Sequence, residues 1–140
     1  MIRNVLLACL IFGFSVIGAA QQNNGAVSPN YIAAAEALAA DNFAAAKTSL
    51  AALAKESQGM LKTQAEAAAK ASTIAELRTA FKPLSETVIT MELPKGYAVA
   101  FCPMFDKMKG GSWVQKQGNI ANPYFGKAML TCGEFKKKAS

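Results

Sequence analysis

The run Thr73-Ile74-Ala75-Glu76-Leu77-Arg78-Thr79-Ala80-Phe81-Lys82-Pro83-Leu84-Ser85-Glu86-Thr87-Val88-Ile89-Thr90-Met91 carries the clearest helical period in the chain. Ile74, Leu77, Phe81, Leu84, Val88 and Met91 recur at alternating steps of three and four, so they share one face of a helix. A seam of this kind is the packing surface of a helical bundle. Thr73 and Glu76 have the spacing of a capping box, in which side chains satisfy backbone N–H groups at the helix start. Pro83 falls inside the run. It lacks a backbone donor and its ring meets the preceding turn, which predicts a kink or a break near Lys82. Pro94 then closes the helical region.

Upstream of this seam three more helices are expected. From Tyr31 to Leu93 the chain holds 19 Ala, with six basic and seven acidic residues. Ser28 and Pro29 supply an N-cap and an N1 proline to a first helix reaching about Ala40, with Ile32, Ala35, Leu38 and Ala39 as its apolar stripe. Asp41 is the expected cap of a second helix, on which Phe43, Ala46, Leu50 and Leu53 recur until Gly59 stops it. A third, from about Met60 to Ala71, offers mostly alanine, so it can approach a neighbour closely while burying little. Asp41-Asn42-Phe43 also has the look of one helix pair of a tetratricopeptide repeat. No second copy follows at a spacing of about 34 residues, and a solenoid needs about three.

After Pro94 the composition changes. Eight basic and two acidic residues give this part a net +6, with seven aromatics: Tyr97, Phe101, Phe105, Trp113, Tyr124, Phe125 and Phe135. Tyr97, Val99 and Phe101 alternate with Ala98, Ala100 and Cys102, the period of a short strand. Lys109-Gly110-Gly111 reads as a turn and Ser112 to Lys116 as a second strand. Asn122-Pro123 starts a short C-terminal helix that ends at Gly133. Lys136-Lys137-Lys138 is a solvated tail. The positive field favours an acidic protein face or anionic lipid heads.

At the other end, Arg3 precedes an uncharged apolar run from Val5 to Ile17, and Gly18-Ala19-Ala20 offers the small residues of a cleavage site. Residues 1–20 therefore read as a secretory signal peptide, and the protein is expected to be periplasmic or secreted. The run is short for the roughly 20 residues of a membrane anchor, so no stable insertion is expected after cleavage. Leu6-Leu7-Ala8-Cys9 resembles a lipobox, but cleavage there would leave only Val5 to Ala8 as the apolar region. Residues 21–28 read as a short disordered leader, and residues 29–140 as a single domain, with helices over 29–93 and a Cys/Met/aromatic segment over 94–135.

The 140 residues contain no histidine. Without an imidazole there is no Ser-His-Asp or Cys-His pair and no side chain whose unperturbed pKa lies near neutrality, so catalysis is not expected. No P-loop is present, because Gly126-Lys127 lacks both the upstream glycine and the following Ser or Thr. Nucleic acid is not an expected partner of an exported chain.

Once residues 1–20 are removed, two cysteines remain, and each stands beside a thioether: Cys102-Pro103-Met104 and Met129-Leu130-Thr131-Cys132. On a helix the second spacing would place both sulfurs on one face. Thiolates and thioethers without imidazole or carboxylate suit a soft monovalent ion such as Cu(I) or Ag(I). Zinc is disfavoured, since two cysteines and no histidine fall short of its usual four ligands. In an oxidising compartment the same two cysteines can instead form a Cys102–Cys132 disulfide, leaving Met104 and Met129 as packing. A thiol oxidoreductase is not favoured, because the Cys-x-x-Cys spacing is missing. Trp113 is expected in the core or an interface, with its ring face as the alternative seat for a cation.

Taken together, Phe101-Cys102-Pro103-Met104, Gly111 with Trp113, Asn122-Pro123-Tyr124-Phe125-Gly126 and Met129-Leu130-Thr131-Cys132-Gly133 look like the signature of a bacterial exported family catalogued as a domain of unknown function. That domain also occurs as a C-terminal extension of CusB-type periplasmic adaptors of copper and silver efflux pumps. The resemblance extends more loosely over the Ala-rich helices and Phe81-Lys82-Pro83-Leu84-Ser85-Glu86, about Tyr31 to Glu134 in all. It implies an α-helical bundle with a Cys/Met-bearing C-terminal segment and a link to heavy-metal handling. Carried over by position, Cys102, Met104, Met129 and Cys132 are the candidate soft-metal ligands, with Trp113 and Tyr124 as neighbours. A component of a metal efflux system is the implied partner.

The expectation is thus a mainly α domain, an antiparallel bundle of about four helices with a short strand pair and a short C-terminal helix. Its expected role is non-enzymatic binding of Cu(I) or Ag(I). The alternative is a disulfide-braced module that docks an envelope partner without metal.

Overall fold

Ser28 caps the first helix as its sequence predicts, its Oγ accepting from the Asn30 N–H at 3.0 Å, with Pro29 in the first turn. Helix α1 spans Pro29–Ala39 and α2 spans Phe43–Glu56 in the computed structural model, which describes residues 25–137. The expected signal peptide and residues 21–24 of the expected leader lie outside the described residues. From Gly25 onward the chain is held rather than loose. Ala26 bridges Glu92, the Val27 N–H donates to the Glu92 carbonyl at 3.0 Å, and Val27 is buried.

The α1–α2 corner corrects one assignment. Asp41 adopts φ 59 and closes α1, with its own N–H on Leu38 O (3.2 Å) and the Asn42 N–H on Ala37 O (2.8 Å). These are the paired bonds of a Schellman motif with an aspartate where glycine is usual. Asn42, not Asp41, therefore caps α2, its Oδ1 accepting from the Ala45 N–H at 3.1 Å. Nor does Gly59 stop α2. That helix ends before Ser57, and Gly59 opens α3, Gly59–Ala69, which buries only Ala65 and Ala68.

Helix α4, Ile74–Val88, buries Leu77, Phe81, Leu84 and Val88 along the seam read from the sequence. Its capping box holds in a shifted form: Thr73 Oγ1 accepts from the Glu76 N–H, while the Glu76 carboxylate accepts from the Ser72 N–H. Of the kink or break expected near Lys82 the break does not occur, and the helix continues through Pro83. Pro83 is exposed, and so is Thr79, whose carbonyl loses its helical donor to the proline and can turn to water.

Strands β1, Tyr97–Cys102, and β2, Gly111–Lys116, pair antiparallel from Tyr97↔Lys116 to Cys102↔Gly111. A third strand, β3, Glu134–Phe135, joins on the other side of β1, so the sheet has three strands in the order β2-β1-β3 rather than a strand pair. The expected C-terminal helix is replaced by a single 3-10 turn, Gly126–Met129. Gly126 sits at φ 58, outside the right-handed helical region, and Gly133 at φ 133 turns the chain into β3.

The helices pack in sequence order, α1 on α2, α2 on α3 and α3 on α4, while α4 and α1 both rest on β2. The result is a mainly α domain with a small antiparallel sheet. Tyr31 joins the layers. It stacks on Phe81 (centroids 5.3 Å), shares a 2.7 Å hydrogen bond with Ser85 and accepts from the Val114 N–H at 3.2 Å. That last bond satisfies a main-chain donor on β2, the strand at the sheet's edge. Burial pushes the Tyr31 phenol up to about 12, so it stays protonated through the physiological range. Among the described residues, no helix is long and apolar enough to cross a membrane.

Candidate sulfur site

Cys102 ends β1, paired with Gly111, and Cys132 lies two residues before β3. Because β3 lies against β1, the two thiols meet although 30 positions separate them: the sulfurs are 2.9 Å apart. Cys102 is fully buried and Cys132 half-buried, and both are free thiols. Gly133 makes the approach possible. A Cβ at that position would lie 2.9 Å from both the Phe101 carbonyl oxygen and Trp113 Cη2.

Asn122 fixes Cys132 from the other side. Its Nδ2 donates to the Cys132 carbonyl at 2.7 Å, its Oδ1 accepts from the Tyr124 and Phe125 N–H groups, and its own N–H donates to Leu130 O. The Asn122 side chain is fully buried and no buried side-chain polar atom among the described residues lacks a partner, so this amide is a structural staple. The sequence marks Asn122 only as a helix start. The long-range bond to Cys132 has no local signature.

The other expected site residues divide. Trp113 is fully buried, its indole N–H donating to Gln115 Oε1 at 3.0 Å, and Tyr124 is buried with its hydroxyl on Ser112 O at 2.6 Å. Tyr124 stacks on Phe105 (4.3 Å) and meets Trp113 edge-on (5.9 Å). Both aromatics are thus packing beside the sulfurs, and Trp113 offers no open ring face to a cation. Met129 is half-buried on the 3-10 turn, and Met104 is 45% exposed on the loop after Cys102. The structure therefore brings the cysteines together. Among the described residues no group of three or more His, Cys, Asp or Glu could hold a metal, and each thiol's hydrogen-bond partner is the other thiol.

The loop between β1 and β2 has an unusual backbone. Asp106 (φ 51, ψ 57), Lys107 (φ 54, ψ 46) and Met108 (φ 68) are three successive non-glycine residues in the left-handed region. Each costs roughly 1–2 kcal/mol. Three contacts compensate. Phe105 is anchored on Tyr124, the Gly110 N–H donates to Phe105 O at 2.9 Å, and Lys82 Nζ pairs with Asp106 Oδ2 at 2.7 Å. The consequence is display: Met108 is 68% exposed, with Lys107 and Lys109 exposed beside it.

A second tie was also missed by the sequence reading. Arg78 donates to Asp41 Oδ1 (2.6 Å), Leu38 O and Pro123 O (each 2.9 Å), while Asp41 Oδ2 accepts from the Lys127 N–H at 3.1 Å. A side chain on Gly126 would run into this pair, which explains the glycine there. The Arg78 bond and the Lys127 N–H hold the Asp41 carboxyl below its ordinary range, and the Lys82 bond does the same for Asp106.

The sulfur geometry limits the chemistry. A disulfide needs the sulfurs at about 2.05 Å, so the pair must close by about 0.9 Å. Two metal–thiolate bonds of about 2.3 Å at a tetrahedral angle would place the sulfurs about 3.8 Å apart, so the pair must open by about as much. The hydrogen bond to Cys102, with burial adding to it, pushes the Cys132 thiol up to about 11. Cys132 is therefore not set up as a low-pKa nucleophile. No family model, curated protein or solved structure matches this chain.

Proposed function

We propose that this protein is an exported, non-enzymatic interaction module of the cell envelope, braced by a Cys102–Cys132 disulfide. In this reading the four helices form an antiparallel bundle that serves as scaffold, and the loop after Cys102 meets the partner. The carrying observation is the juxtaposition of a ready thiol pair, 2.9 Å between sulfurs, with a loop on which Met104 is exposed and a left-handed turn presents Met108. Adaptable thioethers flanked by lysines suit a partner face that is apolar at its centre and acidic at its rim. Mass measurement of the unreduced protein tests the brace: loss of two hydrogens is expected, and fully free thiols overturn it. A photo-crosslinker at Met108 tests the surface in living cells. A discrete adduct absent when the probe stands at Met60, itself 69% exposed, supports the reading, and equal labelling from both overturns it.

A second reading rests on the donor set. In a chain without histidine, Cys102, Met104, Met129 and Cys132 form a sulfur-only group suited to Cu(I) or Ag(I), and the C-terminal motifs resemble an exported family linked to copper and silver efflux. The thiols must open and lose protons to take the ion, so affinity falls as pH falls. Reduced protein titrated with Cu(I) against a competing chelator tests it. Unchanged affinity in Cys102→Ser and Met104→Leu removes this reading.

A further inference from the structure

A groove of about 670 Å³ lies between the end of α4 and the side of β1 that β3 leaves uncovered, toward the Tyr97 end of the strand, with neither cysteine in its lining. Its floor is apolar: Ile89, Leu93, Tyr97, Val99 and Phe135 line it, each half-buried. Its rim is cationic. Lys95, Lys136 and Lys137 are exposed along it, and no carboxylate is among the described residues that line it. Lys136 Nζ is turned to the Phe101 ring, 4.9 Å from its centroid, whereas Lys95 and Lys137 make no ion pair among the described residues.

We infer that this groove binds a free long-chain carboxylate, the acyl chain lying on the apolar floor and the carboxylate between Lys95 and Lys137. Charge complementarity fixes the sign of the headgroup, since a neutral or cationic amphiphile would leave both ammonium groups unanswered. The main chain argues against an extended peptide. Strand addition needs free edge groups, and here the Val99 carbonyl already accepts from the Lys136 N–H at 2.8 Å while the Tyr97 N–H donates to Pro94 O at 3.1 Å. An acyl chain requires no hydrogen bonds from its walls. The volume falls within the range of about 300–1,000 Å³ typical of small-ligand clefts.

Titration of the purified protein with decanoate below its micellar concentration, read by calorimetry and by amide shifts, tests the inference. One saturable site is expected, with the largest shifts at Tyr97, Val99 and Phe135. The charge-reversed Lys95→Glu/Lys137→Glu protein, altered only at exposed side chains, is expected to bind about tenfold more weakly with an unchanged circular dichroism spectrum. Decanol and decyltrimethylammonium are expected to bind more weakly than decanoate. Equal binding of all three amphiphiles, shifts that avoid the groove, or an unaffected double variant would each overturn the inference. So would binding to phosphatidylglycerol vesicles without binding to decanoate. None of these readouts depends on Cys102, Cys132 or Met108, so the inference stands or falls apart from the proposed function.

Discussion

Lys107 sits at φ 54 and ψ 46, the centre of the left-handed helical region, with no glycine on either side. A β-carbon there meets the following carbonyl, and Lys107 is exposed, so its side chain returns little packing energy. Replacing it by glycine removes the clash while raising the entropy of the unfolded chain, two effects of opposite sign. The strain relief of roughly 1–2 kcal/mol exceeds the entropic loss of roughly 0.5–1 kcal/mol. Lys107→Gly is therefore expected to raise the denaturant midpoint. A lower midpoint would show that the loop is not held left-handed. Within this strained segment Met108 stands 68% exposed, which is the feature the proposed interaction surface rests on.

At the scale of elements, α4 shows what the sequence could and could not reveal. Its buried stripe of Leu77, Phe81, Leu84 and Val88 was legible because a continuous helix converts spacing directly into a face. The effect of Pro83 was not legible, because whether a helix breaks depends on what its buried face gains elsewhere. Four buried side chains keep α4 continuous through a proline that lies on the solvent side. The penalty remains in the folded state. Pro83→Ala restores the donor to the Thr79 carbonyl and is expected to stabilise the protein by about 1–3 kcal/mol, read as a higher chemical denaturation midpoint at unchanged helicity. An unchanged or lower midpoint would mean that the proline ring makes a contact the helix needs. The opposite failure is seen after Asn122. The sequence shows a proper helix start there, yet the Asn122 side chain bonds to Cys132 O and Gly126 turns left-handed, so only a 3-10 turn forms. At Asn122 the local capping signal is real, its Oδ1 accepting from the Tyr124 and Phe125 N–H groups, and the bond to Cys132 with the turn at Gly126 overrides it.

Across the whole molecule, the helical half and the C-terminal half are joined by the Lys82–Asp106 ion pair, by the Arg78–Asp41 pair through its bonds to Pro123 O and the Lys127 N–H, and by Tyr31. The sequence showed the cysteines as a possible pair and left their state open. It held no sign of the ion pairs, because each joins residues whose separation in sequence carries no period. Both carboxyls lie below their ordinary range in the folded protein. Their stabilisation is therefore present above the unfolded carboxylate pKa of about 3.9 and is lost as pH falls through the lower folded values. Thermal midpoints taken from neutral pH down to acid should fall less steeply in Asp41→Asn/Asp106→Asn than in the parent, and parallel curves would remove the ion pairs from the account. Oxidation acts within the C-terminal half instead. Closing Cys102 to Cys132 fixes β1 to the segment leading into β3 and shortens the unfolded chain, and a loop spanning 30 positions is worth about 3–4 kcal/mol on chain entropy alone. Since the thiols already lie 2.9 Å apart, closure demands little native rearrangement and that value should be approached. The oxidised protein is expected to unfold at a distinctly higher denaturant concentration than the same protein in excess reductant. Cys132→Ser should match the reduced form and lose all response to reductant. If reduction leaves the parent's midpoint unchanged, the sulfur pair does not brace the domain, and the case for a ligand-binding dithiol strengthens accordingly.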